Sequence, residues 1–247
     1  MNPSHSPEQQ ILPTTADRSF TFACHPGVPC FTQCCRELDL ALTPYDVLRL
    51  KNNLGISSGQ FIEQYVIVEW EESQLFPTCY LTMVDDGRAS CVFVSATGCA
   101  VYAGRPGSCR AYPVGRGATR TGHGTLIESL VVVREEHCQG FAEQGAQTIA
   151  EYLVGQGLDL YNRYNDALLP LLQHPTIQAE TFRPSRMQLD QYMLALYDLD
   201  QFRRQIEGGH IALHRPLTPQ QLQGLAGNDE ELLLLGIRWL LQEYFDE

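Results

Sequence analysis

Eight of the nine cysteines in this 247-residue chain fall into two clusters whose spacing suits metal binding. The first cluster contains Cys24, Cys30, Cys34 and Cys35, and the second contains Cys91, Cys99, Cys109 and Cys138. Thiolates are soft donors, and both a tetrahedral zinc ion and an iron–sulfur cluster take four of them. The pattern therefore predicts a metal-binding role for these cysteines, either as two four-cysteine sites or as one cluster accompanied by structural thiols.

Cys34 and Cys35 are adjacent, which is unusual for metal ligands. In extended backbone, neighbouring side chains point to opposite sides. Both thiols can bind metal only if they serve different ions, or if the backbone turns sharply between them. We expect one of them to be a primary ligand and the other to bind a second ion or to support the first ligand. A disulfide between the two neighbours is the less favoured alternative.

A stretch that contains arginines and no acidic residue lies between residues 105 and 120 of this acidic chain. A site built from thiolates has negative charge, so nearby cations would stabilise it. The first interpretation is therefore charge compensation. The alternative is an anion-binding edge for a phosphate, a carboxylate or an acidic cofactor. Arg105 and Arg110 flank Cys109 and are the predicted cofactor-binding pair.

Other residues near the clusters are weaker candidates. Cys79 lies outside both clusters and is predicted to be an ordinary buried thiol. His25 and His137 each neighbour a cysteine, and histidine is a common metal ligand, so both are secondary candidates. Tyr102 and Tyr112 are predicted to pack in the core, with a redox or substrate role as the alternative. No catalytic residue is identified.

The composition narrows the classes of partner. The formal net charge is −12, and nucleic-acid binding needs Lys and Arg to contact phosphates. The first 17 residues lack the basic start and apolar run of a signal peptide, and no stretch reaches the roughly 18–20 apolar residues of a membrane span. We therefore expect a cytoplasmic protein with no nucleic-acid or membrane partner. In that compartment, clustered cysteines favour metal over disulfides.

Turn and capping signals predict an α+β fold. Thr43-Pro44 begins a helix that ends near Gly55, and a second helix begins at Ser57 or Ser58. This pair resembles a helix-turn-helix, but the acidic charge favours a structural hairpin of helices. Asp85-Asp86-Gly87 predicts the turn of a β-hairpin formed by residues 81–84 and 91–94.

Helical periodicity replaces the β pattern after Phe141, and four long helices are predicted, over residues 146–154, 158–173, 186–206 and 230–245. We expect residues 1–17 to form a disordered leader and residues 18–142 to form a small metal-organised module. Residues 143–247 then form a mainly helical C-terminal region.

The second cluster resembles a known family. Residues Cys99 to Pro113 read Cys-Ala-Val-Tyr-Ala-Gly-Arg-Pro-Gly-Ser-Cys-Arg-Ala-Tyr-Pro. This run, the helix start Leu42-Thr43-Pro44-Tyr45-Asp46, and the order of Cys91 and Cys138 resemble the YkgJ family of cysteine-cluster proteins. In that family the first cluster is Cys-x2-Cys-x2-Cys-Cys, so the gaps around Cys30 are longer here. The resemblance covers about residues 20–140.

The resemblance implies a bound metal, either zinc or an iron–sulfur cluster. Members are often described as iron–sulfur oxidoreductases of unknown substrate, and a relative that methylates flagellin lysines points to protein modification as an activity. The first functional hypothesis is accordingly an iron–sulfur protein with redox or protein-modifying activity. The second is a structural zinc module that binds a protein partner without catalysis.

Overall fold

The structure, a computed structural model, describes residues 9–71 and 74–247. Two compact units divide the chain. In the described residues, the cysteine unit comprises 9–38 and 83–161, and the helical unit comprises 39–71, 74–82 and 162–247. Each unit is therefore formed by segments that are distant in sequence. This division cuts across the contiguous boundaries expected from the sequence, because residues 39–82 group with the C-terminal helices.

The described residues form short β-strands with these bounds: β1 Gln9–Thr14, β2 Ser19–Thr21, β3 Ala41–Leu42, β4 Val66–Glu69, β5 Thr78–Leu81, β6 Met83–Val84, β7 Ser90–Cys91, β8 Val94–Ser95, β9 Gly98–Cys99, β10 Val114–Arg120, β11 Leu126–Glu135 and β12 Ala146–Thr148. The α-helices have these bounds: α1 Pro44–Leu54, α2 Ser58–Tyr65, α3 Gly107–Ala111, α4 Ile149–Gly155, α5 Leu158–Ala167, α6 Leu169–Leu172, α7 Pro175–Gln178, α8 Arg186–Leu196, α9 Leu199–Glu207, α10 Pro219–Leu225 and α11 Asp229–Phe245. The combination confirms the predicted α+β class with a helical C-terminal part.

The cysteine unit has its core on an antiparallel sheet with the order β1-β11-β10. Val114 of β10 lies opposite Val132 of β11, and both are buried. Phe22 and Tyr152 join this core, and their rings meet edge to face with centroids 5.9 Å apart. Strand β2, which leads to the first cysteine, pairs with β12. The core thus lies directly beside the segment that contains Cys24.

Part of the predicted leader is ordered. Residues 1–8 lie outside the described residues. Residues Gln9–Thr14 form β1, and every residue of β1 pairs with a residue of β11. The backbone groups of a strand edge need hydrogen-bond partners, and β1 supplies them. Pro13 is compatible with this position because a proline is tolerated in an edge strand.

Two small hairpins precede the second cysteine cluster. Strands β6 and β7 flank the turn at residues 85–87, as predicted, with Met83 opposite Cys91. Strands β8 and β9 form the next hairpin, with Val94 opposite Cys99. The hairpins therefore set the positions of Cys91 and Cys99 through backbone hydrogen bonds.

The helical unit begins with the predicted pair α1 and α2. Thr43 and Asp46 form a reciprocal capping box at the start of α1, and Gly55 ends the helix at a φ of 68°. Strand β5 lies between β3 and β4 in a small antiparallel sheet. Helix α1 packs on α2 and α11, and α2 packs on α9. These contacts give the two N-terminal helices a structural role within the helical unit.

Two predicted long helices are interrupted. The helix expected over 158–173 ends at Ala167, and α6 begins at Leu169 beside Pro170, which lacks a backbone N–H. The helix expected over 186–206 stops at Leu196, because the Asp198 side chain accepts a hydrogen bond from the Gln201 N–H and caps α9. Among the described residues, no helix combines the length and the apolar character needed to cross a membrane.

Candidate metal centre

Four cysteines from the two clusters line one small cavity of the cysteine unit. They are Cys24, Cys30 and Cys34 from the first cluster and Cys138 from the second. The cavity has a volume of ≈ 10 Å³, and His137 also lines it. A single water molecule needs about 10–15 Å³, so the space suits one particle of that size. The structure thus places half of the predicted ligands around one cavity.

Close packing of two distant segments produces this convergence. The Ala23 N–H donates to the Gly140 carbonyl at 3.1 Å, which places the chain before Cys24 beside the chain after Cys138. A Cβ atom on Gly140 would lie 2.6 Å from Cε2 of Phe22 and 2.7 Å from the carbonyl oxygen of Ala23. Only glycine therefore permits this approach.

The variant Gly140→Ala is expected to destabilise the cysteine unit by about 1–3 kcal/mol, the usual cost of inserting a methyl group into a packed site. Its added methyl group forces the segment of Cys24 away from that of Cys138, so metal affinity should fall as well. Thermal unfolding and competitive zinc titration measure the two effects. Gly122→Ala is the matched control, since no atom lies within 4 Å of a Cβ built at that position. Equal stability and affinity in the two variants would refute this packing argument.

The loop between Cys24 and Cys35 reaches the cavity through consecutive tight turns. The N–H groups of Val28 and Phe31 each donate at 2.9 Å to the carbonyl three residues earlier. Thr32 adopts a left-handed conformation with φ 68°, and a single 3₁₀ turn over Gln33–Cys35 follows. The backbone therefore turns sharply at the adjacent cysteines. Cys34 lines the cavity, and its thiol donates a hydrogen bond to the Cys35 sulfur.

Burial and neighbouring thiols raise the pKa values of Cys24 and Cys34. Burial and then the nearby Cys34, Cys30 and Cys138 raise the pKa of Cys24 to about 11. The hydrogen bond to Cys35, followed by burial, raises the pKa of Cys34 far above its usual range. Negative charge at this point therefore needs a compensating cation, which is the role that a metal ion has in a thiolate site.

Hydrogen-bond donors surround the sulfur atoms. The Gln139 N–H donates to Sγ of Cys30 at 3.2 Å. Burial raises the pKa of Cys138, while contacts with the Tyr112 hydroxyl and the Gly140 N–H oppose the rise. The same Tyr112 hydroxyl donates to Glu135 Oε2 at 2.8 Å. Donors to sulfur favour the thiolate form that binds metal.

Sequence reasoning missed Gly140 and assigned Tyr112 to packing. Tyr112 does pack on Phe22, with the ring centroids 6.1 Å apart, but its hydroxyl also lies beside the Cys138 thiol. The glycine two residues after the last cysteine was the available signal for Gly140. Its close contact with Phe22 and Ala23 depends on segments distant in sequence, so this contact could not be read from the motif.

The other four predicted ligands lie elsewhere in the cysteine unit. Cys35 ends the 3₁₀ turn beside Cys34, and Cys91 and Cys99 lie on β7 and β9. Cys91 and Cys99 are close enough for the charge on Cys99 to raise the pKa of Cys91, although burial contributes more. Cys109 is exposed on α3. All nine cysteines of the chain are present as thiols.

The two predicted cofactor-binding arginines differ in their surroundings. Arg110 donates to three backbone carbonyls, those of Ala103, Arg105 and Gln156. Arg105 donates to the Gln156 side chain at 2.6 Å and stacks over the Tyr102 ring at 3.7 Å. Its positive charge acts on the thiols of Cys24 and Cys99, where it opposes the rise in pKa. These contacts favour charge compensation for Arg105 and backbone support for Arg110.

The secondary candidates are also located. His25 contacts Glu143 through Nε2 at 3.3 Å and accepts the Gly27 N–H through Nδ1 at 3.1 Å. Cys79 is fully buried in β5 of the helical unit, as predicted for an ordinary thiol.

The donor set fits zinc or iron in its chemistry. Four thiols suit either metal. Among residues 9–71 and 74–247, no group of three or more His, Cys, Asp or Glu side chains has the geometry of a metal site. The four cysteines thus line a shared cavity without being arranged as a metal site.

Comparison with known proteins agrees with this donor chemistry. Residues 23–144, which include all eight clustered cysteines, match the family model described as "CxxCxxCC: Putative zinc- or iron-chelating domain". No curated protein and no solved structure matches the chain. Residues 23–144 of the chain are therefore similar to the CxxCxxCC family of zinc- or iron-chelating domains.

Proposed function

We propose that the cysteine unit holds one zinc or iron ion between Cys24, Cys30, Cys34 and Cys138. The observation that supports this proposal is the small cavity that these four thiols line together. The bound ion would join the loop of residues 24–35 to the segment that follows β11. Such a module would present a surface for a protein partner rather than catalyse a reaction. A cytoplasmic setting belongs to the same proposal, since thiols stay reduced there.

The size of the cavity and the charge of its thiolates support a single ion at this position. The cavity volume of ≈ 10 Å³ is close to that of one water-sized particle. Burial and then the neighbouring thiols raise the pKa of Cys24, so a cation between the thiols would stabilise their thiolate forms. The Arg105 guanidinium would offset part of the negative charge that remains.

Metal content tests the proposal. The double variant Cys24→Ser/Cys138→Ser is expected to contain one zinc or iron ion fewer per chain than the wild type, in protein purified without oxygen under reducing conditions. Cys79→Ala is the matched control, because it removes a thiol from the helical unit, and its metal content should equal that of the wild type. Unchanged metal content in the double variant would exclude a role for these thiols.

An iron–sulfur cluster with redox or protein-modifying activity is the second candidate. Hydrogen bonds to the sulfur atoms favour it, since such bonds adjust the reduction potential of iron–sulfur clusters. Cys24 is also exposed, which would bring a cluster within reach of a redox partner. Acid-labile sulfide and visible absorption in the anaerobic protein would select this candidate over a single ion.

A further inference from the structure

Strand β4 forms one edge of the small sheet in the helical unit, where the strand order is β3-β5-β4. It pairs with β5 on one side, and no other strand in the described part of the chain pairs with its second side. Edge strands commonly resist further pairing through a lysine, a proline or a bulge. The sequence of β4, Val-Ile-Val-Glu, has neither lysine nor proline, and its β-branched residues favour a strand. The open edge of β4 is therefore suited to accept another strand.

The hydrogen-bond register shows which backbone groups of β4 face this open edge. The Thr82 N–H donates to the carbonyl of Tyr65, the residue before β4, at 2.9 Å. In an antiparallel pair, residues that bond to the partner strand alternate with residues that face away from it. Ile67 and Glu69 thus bond to β5, whereas Val68 directs its N–H and its carbonyl to the open edge. An added strand would find a donor and an acceptor there.

The side chains along this edge leave apolar surface uncovered. Val68 lies opposite Cys79 on the same face of the sheet, but Cys79 is fully buried while Val68 is 45% exposed. Ile67 on the other face is 48% exposed, and Trp70 just beyond the strand is 52% exposed. The indole Nε1 of Trp70 donates to the Gln74 carbonyl at 3.1 Å, which holds the ring in place. A strand added at this edge would cover these side chains, and a held aromatic ring is a typical anchor of an interface.

The charge around β4 indicates the chemistry of the added strand. Residues 52–82 contain four glutamates and no lysine, arginine or histidine. Glu69 lies within β4, and Glu71 follows two residues later. Pairing β4 with the same strand of a second copy would bring like charges together, which is unfavourable. A strand with apolar and basic side chains complements both the apolar and the acidic groups of the edge.

We propose that the open edge of β4 binds an extended basic segment of a partner protein, which pairs with β4 as an additional strand. Main-chain hydrogen bonds to Val68 hold the segment in register. Its apolar side chains contact Val68 and Trp70, and its lysine or arginine side chains lie near Glu69. The inference goes beyond the proposed metal module and does not depend on a bound ion, because β4 belongs to the helical unit.

Binding of a labelled synthetic peptide to the full-length protein tests this inference. The probe is a peptide of alternating valine and lysine, followed by fluorescence anisotropy, and its affinity should fall as salt is added. The same peptide with N-methylated backbone amides keeps its side chains but loses its donors, so it should not bind. A peptide of alternating valine and glutamate should also lose binding. Peptide-resolved hydrogen exchange should show added protection in residues 66–70 when the basic peptide is bound.

Variants of the edge separate strand pairing from attraction by charge. Val68→Pro removes the N–H that faces the open edge and no bond to β5, so it should abolish binding while circular dichroism shows an intact fold. Trp70→Ala should weaken binding roughly tenfold or more, the usual loss at an aromatic anchor. Glu69→Gln should weaken it about 2–5-fold, as expected for an exposed ion pair. Met187→Ala is the matched control, because Met187 is an exposed apolar residue on α8 of the same unit, and its affinity should equal that of the wild type.

Other outcomes overturn the inference. Equal binding by the N-methylated peptide, or by folded Val68→Pro, would mean attraction by charge without strand pairing. Equal binding of the acidic peptide would exclude a basic segment, and no binding of the basic peptide would exclude the site. A wild-type dimer that Val68→Pro converts to a monomer would make a second copy the occupant of the edge. Peptide affinity should be the same in Cys24→Ser/Cys138→Ser as in the wild type, so failure of the metal proposal leaves this one standing.

Discussion

Removing the metal with a chelator is expected to increase amide hydrogen exchange on the order of 100-fold or more in residues 22–38 and 135–142. These segments contain mostly turns and short 3₁₀ helices, and they contribute few side chains to the hydrophobic core. Apparent binding free energies of structural zinc reach roughly 10–16 kcal/mol in small modules. Loss of that binding free energy should unfold residues 22–38 and 135–142 before the sheet of the cysteine unit unfolds. Peptide-resolved exchange with mass spectrometry measures the effect.

The helical unit provides the internal control for this experiment. Peptides from α1, α8 and α11 contain no cysteine and should exchange at the same rate with and without metal. Adding Zn²⁺ back should restore protection in the loop, and Cys79→Ala should respond to the chelator as the wild type does. If the loop stays equally protected once metal analysis shows the ions to be gone, the metal has no structural role.

Replacing Lys51 by Met is expected to destabilise the helical unit by roughly 3–5 kcal/mol. Lys51 is 5% exposed, and its Nζ lies 2.7 Å from Oδ2 of Asp229 and 3.2 Å from Oδ2 of Asp200. The ammonium thus joins α1 to the starts of α9 and α11. Burial would raise the pKa of Asp200, but the Ser58 N–H and the Lys51 charge outweigh it and hold that pKa below its usual value. Methionine fills the space but leaves Asp200 without its cation, and Asp229 keeps only its ion pair with Arg203.

Denaturant unfolding followed by helical circular dichroism measures this loss. Arg186→Met is the matched control, since Arg186 pairs with Asp190 on the surface of α8, where both side chains are mostly exposed. Exposed pairs of this kind contribute about 0.3–0.5 kcal/mol. A Lys51→Met protein as stable as Arg186→Met would show that the buried ion group contributes little. Unchanged zinc binding in both variants is also expected, because no proposed ligand lies in the helical unit.

Local signals predicted the elements that depend on local chemistry. The caps at Thr43 and Gly55 define α1 because a capping box and a left-handed glycine act within a few residues. The turn at residues 85–87 joins β6 to β7 for the same reason. Strand β10 was missed because Gly115 and Gly117 interrupt any alternation of apolar residues. These glycines give room to the cross-strand side chains of Val131 and Ser129, a requirement that only the paired sheet reveals.

The donor types of the candidate centre were evident from the residues, but their grouping was not. Spacing alone left open two sites or one, and it left open which of Cys34 and Cys35 would be a primary ligand. In the structure Cys138 joins three cysteines of the first cluster, although it is the last cysteine of the second. Arg110 likewise has an ordinary structural role, since its guanidinium is occupied by backbone carbonyls.

The sequence by itself determined the chemistry of this protein, because residue type sets which atoms can donate to a metal. Zinc or iron was indicated by the clustered thiols and by the motif that resembles a known family. Only the tertiary structure decided which thiols share a cavity. That grouping depends on the hydrogen bond between Ala23 and Gly140, which joins segments far apart in the chain. Contacts of this kind arise from packing and backbone pairing, and no spacing within a motif encodes them.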